Sequence, residues 1–319
     1  MGTRVNLRFI LWALALFAGP AAGQELEPRA YSPNPIGANF LVQSYAFQSG
    51  DVLFDPALPF SDVVARINTS VTGYGRAFSL FGRSASVLVM APYAWGSMKG
   101  NVGEDFQQIT RSGFADLRAK FTVTLLGGPA LKPREFVLRK PSTTLGASFT
   151  ASFPTGQYDP AKLINIGTNR WAFKPELGLS HPIGPWTLEA YAGVWFFGDN
   201  ADFNGGKVRS QNPLTSFQAH VAYTLRPRMW IAGNATYYTG GVSYVNDVPT
   251  DTRQANSRVG LTFSLPLGTR HSIKLSYANG VTSRIGSNFS TYGIDYQFFW
   301  LDRPRDRKSV ELGRRGGRG

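Results

Sequence analysis

Residues 288–300 alternate in character one by one: Tyr292, Ile294, Tyr296, Phe298 and Trp300 fall on one side of an extended chain, and Thr291, Gly293, Asp295 and Gln297 on the other. Successive side chains of a strand point to opposite faces, so the pattern predicts a β-strand with one apolar and one polar face. An apolar face that ends in large aromatics suits a barrel wall facing lipid, with the aromatics in an interfacial girdle. The spacing also resembles the closing-strand signal of bacterial outer-membrane barrels, in which apolar residues at every second position lead to a terminal aromatic.

The same split recurs upstream. In residues 115–125, Leu117, Ala119, Phe121, Val123 and Leu125 oppose Asp116, Arg118, Lys120, Thr122 and Thr124, and residues 143–153 repeat it with Leu145, Ala147, Phe149, Ala151 and Phe153 on the apolar side. Further strands are expected over residues 171–180, 186–197, 217–225, 231–238, 259–265 and 272–278. Three are less clean: 39–48, whose faces are mixed; 85–95, apolar on both sides; and 63–76, with Arg66, Asn68, Ser70, Thr72, Tyr74 and Arg76 on one side. The total is about twelve, an even number as bacterial barrels require. Taking the polar face as the inner one places Arg66, Arg76, Asp116, Arg118, Lys120, Lys174, Glu176, Glu189, His220, Asn234, Arg258, Lys274 and Asp295 on the lumen.

Connections alternate in length. Long ones cover 50–62, 97–112, 155–168, 199–212, 241–253 and 281–288; short ones cover 78–83, 182–185, 226–228 and 266–270. Long loops on one rim and tight turns on the other are the mark of an antiparallel barrel with one rim outside and one in the periplasm. Residues 128–141 depart from this and read as an inserted periplasmic loop.

Composition narrows the compartment. Arg4 and Arg8 precede an apolar run at 9–18, and Ala21, Ala22 and Gly23 supply small residues for cleavage, so 1–23 reads as a secretory signal. The run is too short to span a bilayer, which takes roughly 20 residues. Zero cysteines exclude a disulfide framework, a cysteine nucleophile and a cysteine zinc site. Of the formal +13, two charges belong to Arg4 and Arg8 and a net +4 to the tail from Asp302, leaving +7 with no basic stripe. That argues against a nucleic-acid partner. Gly 35 and Pro 20 suit many short strands and turns.

Candidate chemistry is sparse. Of three histidines only His220 falls mid-strand on a polar face, where a packed lumen residue is the simpler reading than a base with an unmarked serine partner. Residues 200–205 begin like a calcium loop, but Gln211 stands where the closing Glu belongs, and an Asn/Gly-rich turn accounts for them. No catalytic residue, metal or cofactor is expected. Inward charges of mixed sign with a cationic excess imply a hydrated lumen; twelve strands fall between the filled eight-stranded and open sixteen-stranded cases, so a narrow pore is expected.

The chain also resembles a known family, the outer-membrane transporter-like proteins grouped under the MetA-pathway of phenol degradation. The resemblance rests on Leu26-Glu27-Pro28-Arg29-Ala30-Tyr31-Ser32-Pro33 with Pro35, Gly37, Asn39 and Phe40, and on Trp171-Ala172-Phe173-Lys174-Pro175-Glu176. It continues through Trp195-Phe196-Phe197-Gly198-Asp199-Asn200, Gln211-Asn212-Pro213-Leu214, Gln218, His220, Tyr223 and Tyr238-Thr239-Gly240-Gly241. It implies an outer-membrane barrel and a part in uptake of phenol-like or other apolar small molecules.

The expected protein is therefore all-β: a monomeric transmembrane antiparallel barrel of about twelve strands in the bacterial outer membrane. Its expected divisions are a signal peptide (1–23), a periplasmic N-terminal segment too short for a plug domain (24–38), the barrel (39–300) and a basic disordered tail (301–319). The expected role is a passive channel for small aromatic or apolar solutes, gated by the long outer loops and inserted by the outer-membrane assembly machinery. Its surroundings would be lipid bilayer and lipopolysaccharide. The alternatives are an outer-membrane lipid hydrolase, a structural or adhesive surface barrel, and a soluble β-sandwich.

Overall fold

The computed structural model describes residues 26–53, 60–162 and 164–302. The expected signal peptide and the tail beyond Asp302 lie outside the described residues. In chain order the elements are β1 (Ala38–Leu53), β2 (Phe60–Leu80), β3 (Arg83–Val102), β4 (Asp105–Phe114), β5 (Arg118–Leu126), the short helix α1 (Pro133–Val137), β6 (Thr144–Ser152), β7 (Ala172–Ile183) and β8 (Trp186–Phe197). They continue with β9 (Asn200–Phe203), β10 (Lys207–Gln211), β11 (Leu214–Arg226), β12 (Met229–Gly240), β13 (Ser243–Val245), β14 (Val248–Pro249), β15 (Gln254–Leu267), β16 (His271–Thr282) and β17 (Gly286–Leu301).

All wall pairings are antiparallel, and the sheet closes on itself because β1 pairs with β2 on one side and β17 on the other, while β2 also pairs with β3. Both β4 and β5 pair with β3, one above the other, so they are two pieces of a single wall strand and the barrel has twelve. The break between them has a local cause. Pro92 has no N–H to donate to the ladder. Between the pairs Tyr93↔Phe114 and Met90↔Arg118, residues 91–92 face residues 115–117, one extra residue and hence a bulge.

Tight turns gather at one rim. In the first, Phe81 (φ 48°) and Gly82 (φ 77°) are both left-handed, the geometry of a two-residue hairpin that follows strand twist. Residues 128–141, with α1, dock on this same rim: Ala130 N–H donates to Gly82 O at 3.0 Å and Ile36 N–H to Leu131 O at 2.9 Å. At the opposite rim, β9, β10, β13 and β14 form a four-stranded sheet across the loops after β8 and β12. Residues 200–205, which resembled a calcium loop, are thus the β9–β10 hairpin, with Asn204, Gly205 and Gly206 at its turn.

Outside, the wall exposes Leu177, Leu188, Val221, Ile231, Leu261, Leu275 and Ile294. Aromatics flank this belt: Tyr74, Phe298 and Trp300 near the short-turn rim, Tyr45, Tyr93, Trp95 and Phe114 nearer the loops. This is the distribution of a wall that meets hydrocarbon between two interfaces. The alternating stretch 288–300 is β17, and its sixteen-residue ladder with β1 runs from Ala38↔Leu301 to Leu53↔Gly286. Leu301, expected in the tail, is the last residue of the strand, and Asp302 N–H donates to Gly37 O at 2.8 Å.

Candidate functional site

The first described residues do not hang below the barrel. From Glu27 to Tyr31 they run against the inner face of the wall as a strap. Lys120 Nζ on β5 lies 2.8 Å from Glu27 Oε2. Arg29 takes a left-handed backbone (φ 67°), held by its N–H on Glu189 Oε2 at 2.6 Å, its Nη2 on Thr224 Oγ1 at 2.5 Å, and its guanidinium 5.0 Å over Trp230. Tyr31 is buried; its ring lies on the paired glycines Gly146 and Gly178, where an added Cβ at Gly178 would come within 2.1 Å of it. Its hydroxyl donates to Glu176 Oε1 at 2.8 Å and shares a 2.9 Å hydrogen bond with Ser148 Oγ. Burial, then the Glu176 carboxylate, pushes the Tyr31 phenol up, so it remains a donor. Lys120 holds the Glu27 carboxyl down at about 2, although half of the Glu27 side chain faces open lumen and water there screens the pair. The segment expected in the periplasm, 24–38, is therefore lumenal over its described Glu27–Tyr31 stretch.

Beneath the strap the inner face of β6–β12 is packed and polar. Lys174 pairs with Glu176, whose Oε2 also accepts from Gln218 Nε2 at 3.3 Å. His220 is 1% exposed; Asn234 gives its amide nitrogen to Thr262 Oγ1 at 2.9 Å, so its Oδ1 accepts from His220 Nδ1 at 2.8 Å. The rings of Tyr191 and His220 are 5.0 Å apart, and Tyr31 meets Tyr191 edge-on at 4.9 Å. On the far side, Lys274 and Asp295 pair at 3.0 Å and Arg258 Nη2 donates to Phe289 O at 2.7 Å. Burying charges is costly unless each finds a partner; Lys174 with Glu176 and Lys274 with Asp295 do so as ion pairs, and Arg258 through a backbone carbonyl.

The inner face of β1–β3 differs. Residues directly opposite in a ladder share a face, and from Lys120 the chain of pairs runs Lys120↔Leu88, Leu88↔Gly75, Gly75↔Phe40. The inner face therefore carries Phe40, Val42, Ala46, Ser44 and Gln48 on β1, Ile67, Val71, Gly73, Gly75 and Thr69 on β2, and Leu88, Met90, Ala94, Met98 and Ser86 on β3, a mainly apolar set with four polar side chains among it. Most of them are only half-buried. The lumen thus has an apolar stripe on one side and hydrogen-bonded ion pairs on the other.

Comparison with protein families places residues 43–298 within the family described as "Putative MetA-pathway of phenol degradation". The chain belongs to this family. Among solved structures it is similar to the COG4313 outer membrane channel from Pseudomonas putida F1, with a TM-score of 0.72, 18% identity, and coverage of 86% of this chain and 100% of that one. It is also similar to the transport unit of the autotransporter AIDA-I from Escherichia coli, with a TM-score of 0.51, 9% identity, and coverage of 89% and 95%. At such identities the likeness is one of fold. No curated protein matches the chain.

Ladder register puts Arg118, Lys174, Glu176, Glu189, His220, Asn234, Arg258, Lys274 and Asp295 on the same face of the wall as Lys120. Asp116 sits at the bulge and anchors the 153–171 loop, accepting from Gly156 N, Thr168 N and Thr168 Oγ1. Arg66 and Arg76 are corrections. Both lie on the outer face of β2, because Arg76 pairs with Val87 and Asn39, which continues to Trp300, and Arg66 pairs with Ser97. Arg76 binds Asp302 at the rim, at 2.6 Å. Polar groups on this face satisfy one another: Gln43 Nε2 donates to Ser70 Oγ, Thr72 Oγ1 to Gln43 Oε1 and Tyr45 OH to Asn68 Oδ1. Alternation gave no sign of the strap contacts or of two buried arginines, Arg170 ahead of β7 and Arg209 on the five-residue β10, at the loop rim beyond the wall's alternation.

Proposed function

We propose that this barrel is a passive channel of the bacterial outer membrane for small, largely apolar solutes of phenol-like chemistry. The observation that carries this is the apolar stripe of β1–β3 running beside a polar, ion-paired wall. A hydroxylated aromatic ring can slide with its face on the stripe and its hydroxyl toward the polar side, without breaking a buried ion pair. The fold shared with a protein described as an outer membrane channel supports the same reading, as does membership of a phenol-degradation family. On this reading residues 1–23 are removed on export and the assembly machinery inserts the barrel. The long-loop rim meets lipopolysaccharide, and the strap narrows the path.

The hydrolase alternative needs a serine hydroxyl on His220. Among the described residues His220 hydrogen-bonds Asn234 alone. The test is reconstitution into liposomes. Phenol flux should exceed that of glycerol, a similarly small but more polar solute. Equal rates of both, or no flux of either, would overturn the proposal.

A further inference from the structure

Two buried cations at the outer end of the lumen have no counter-ion among the described residues. Arg170 precedes β7 and Arg209 lies on β10, and each is 3% exposed. Arg170 stacks 4.5 Å over Phe197 and gives Nη2 to Gln211 Oε1; Arg209 stacks 5.6 Å over Phe203 and gives Nη2 to Ser243 Oγ at 3.3 Å. Gln211 and Ser243 are direct ladder partners, so the two guanidiniums bracket a single cross-strand pair. Arg170 Nη1 and Arg209 Nε and Nη1 are buried without any partner among the described residues. The acids that act on Arg170 from beyond ion-pair distance are Asp199 and Asp116, and Asp116 commits both its oxygens to Gly156 and Thr168.

A guanidinium cannot shed its proton to escape burial. Burial, then the like charge of Arg209, lowers Arg170 to about 9, and burial lowers Arg209 to about 10; both stay charged at neutral pH, and a nearby anion would stabilise them. A water would satisfy an N–H but leave the two like charges opposed. Next to them lies the buried cluster of Trp195, Tyr238, Leu214 and Ala172, with Phe197 packed on it. We propose that Arg170 and Arg209 form a binding site for the carboxylate of a small aromatic acid, the ring of which lies toward the Trp195–Tyr238 cluster. The channel reading supplies the route by which the acid arrives; binding itself does not depend on it.

The test is calorimetric titration of the full barrel in detergent with benzoate, benzyl alcohol and inorganic phosphate. Benzoate should bind saturably and benzyl alcohol about tenfold or more weaker, since it cannot form a charge-assisted hydrogen bond. R209Q, folded by the criterion of heat-modifiable gel migration, should lose about tenfold in benzoate affinity on the same grounds. The site is overturned by absent benzoate binding, by equal binding of benzyl alcohol, by phosphate binding in place of benzoate, or by folded R209Q binding unchanged. Should R209Q not fold, the wild-type ratio of benzoate to benzyl alcohol decides by itself. Phenol flux on the same preparations separates the two ideas: flux without benzoate binding overturns the anion site alone, and binding without flux overturns the channel alone.

Discussion

The two halves of the lumen are held by different physics. On β6–β12 the contacts are directional: Lys174 needs Glu176, Glu176 needs Tyr31 and Gln218, and His220 needs Asn234. On β1–β3 the inner residues Val42, Val71, Leu88 and Met90 ask only to be kept from water. Directional pairs fix one arrangement and resist exchange for a passing solute, because an unpaired buried charge is expensive. Apolar contacts are traded at little cost, since the hydrophobic effect has no preferred direction. The polar half therefore serves to hold the strap, and the apolar half to let something move.

Breaking the polar half should have the largest effect. Lys174→Met strands Glu176 and should destabilise the barrel by about 3–5 kcal/mol, read as a lower midpoint of denaturant unfolding in micelles. Releasing the strap comes next. Tyr31→Ala should raise single-channel conductance several-fold with the barrel still folded, and Gly178→Leu should do the same by displacing the ring. The apolar half can be tested with Val71→Asn, which should slow phenol flux about fivefold, because a passing ring then forgoes ~1 kcal/mol of hydrophobic stabilisation. Thr72→Val, one residue on but on the outer face, should leave flux unchanged. A smaller effect follows from pH. Glu27 is lowered from 4.5 to about 2, so its pair with Lys120 stabilises the strap fully above 4.5 and ceases to do so as pH falls toward 2. Conductance should rise over that window and stay flat above it. Smallest of all, Arg76→Ala removes a half-exposed pair with Asp302 and should cost under about 1 kcal/mol, with no change in conductance.

Most of the wall strands were legible in the sequence, because a wall between lipid and water writes period two into the chain; 39–48 and 85–95 carried no clean alternation, and the long loop expected over 97–112 is instead the tight hairpin of β3 and β4. The face of most was legible for the same reason: Thr150 and Phe149, or Lys274 and Leu275, differ in the way the rule requires. On β2 the rule reverses. Asn68, Ser70 and Thr72 face outward because Gln43 and Tyr45 on the neighbouring strand satisfy them, and that depends on a register between strands that no single strand records. The strap was hidden for a similar reason. Glu27 meets Lys120 and Arg29 meets Glu189 across 93 and 160 residues of chain, and a Pro-rich segment with one left-handed residue carries no period to read. Arg170 lies just before β7 and Arg209 on the short β10, and only the folded roof brings Gln211 and Ser243 between them.

The seam of β1 with β17 ties timing to architecture. The strand made first waits for the strand made last, so sixteen ladder positions stay unfilled until nearly the whole barrel sequence has been synthesised. Until then β1 and β16 are both bare edges, open to pairing with other chains. Pairings this distant in sequence are slow to form. A chain that stopped before residue 286 would leave the β1 edge without its partner, an aggregation hazard rather than a smaller barrel.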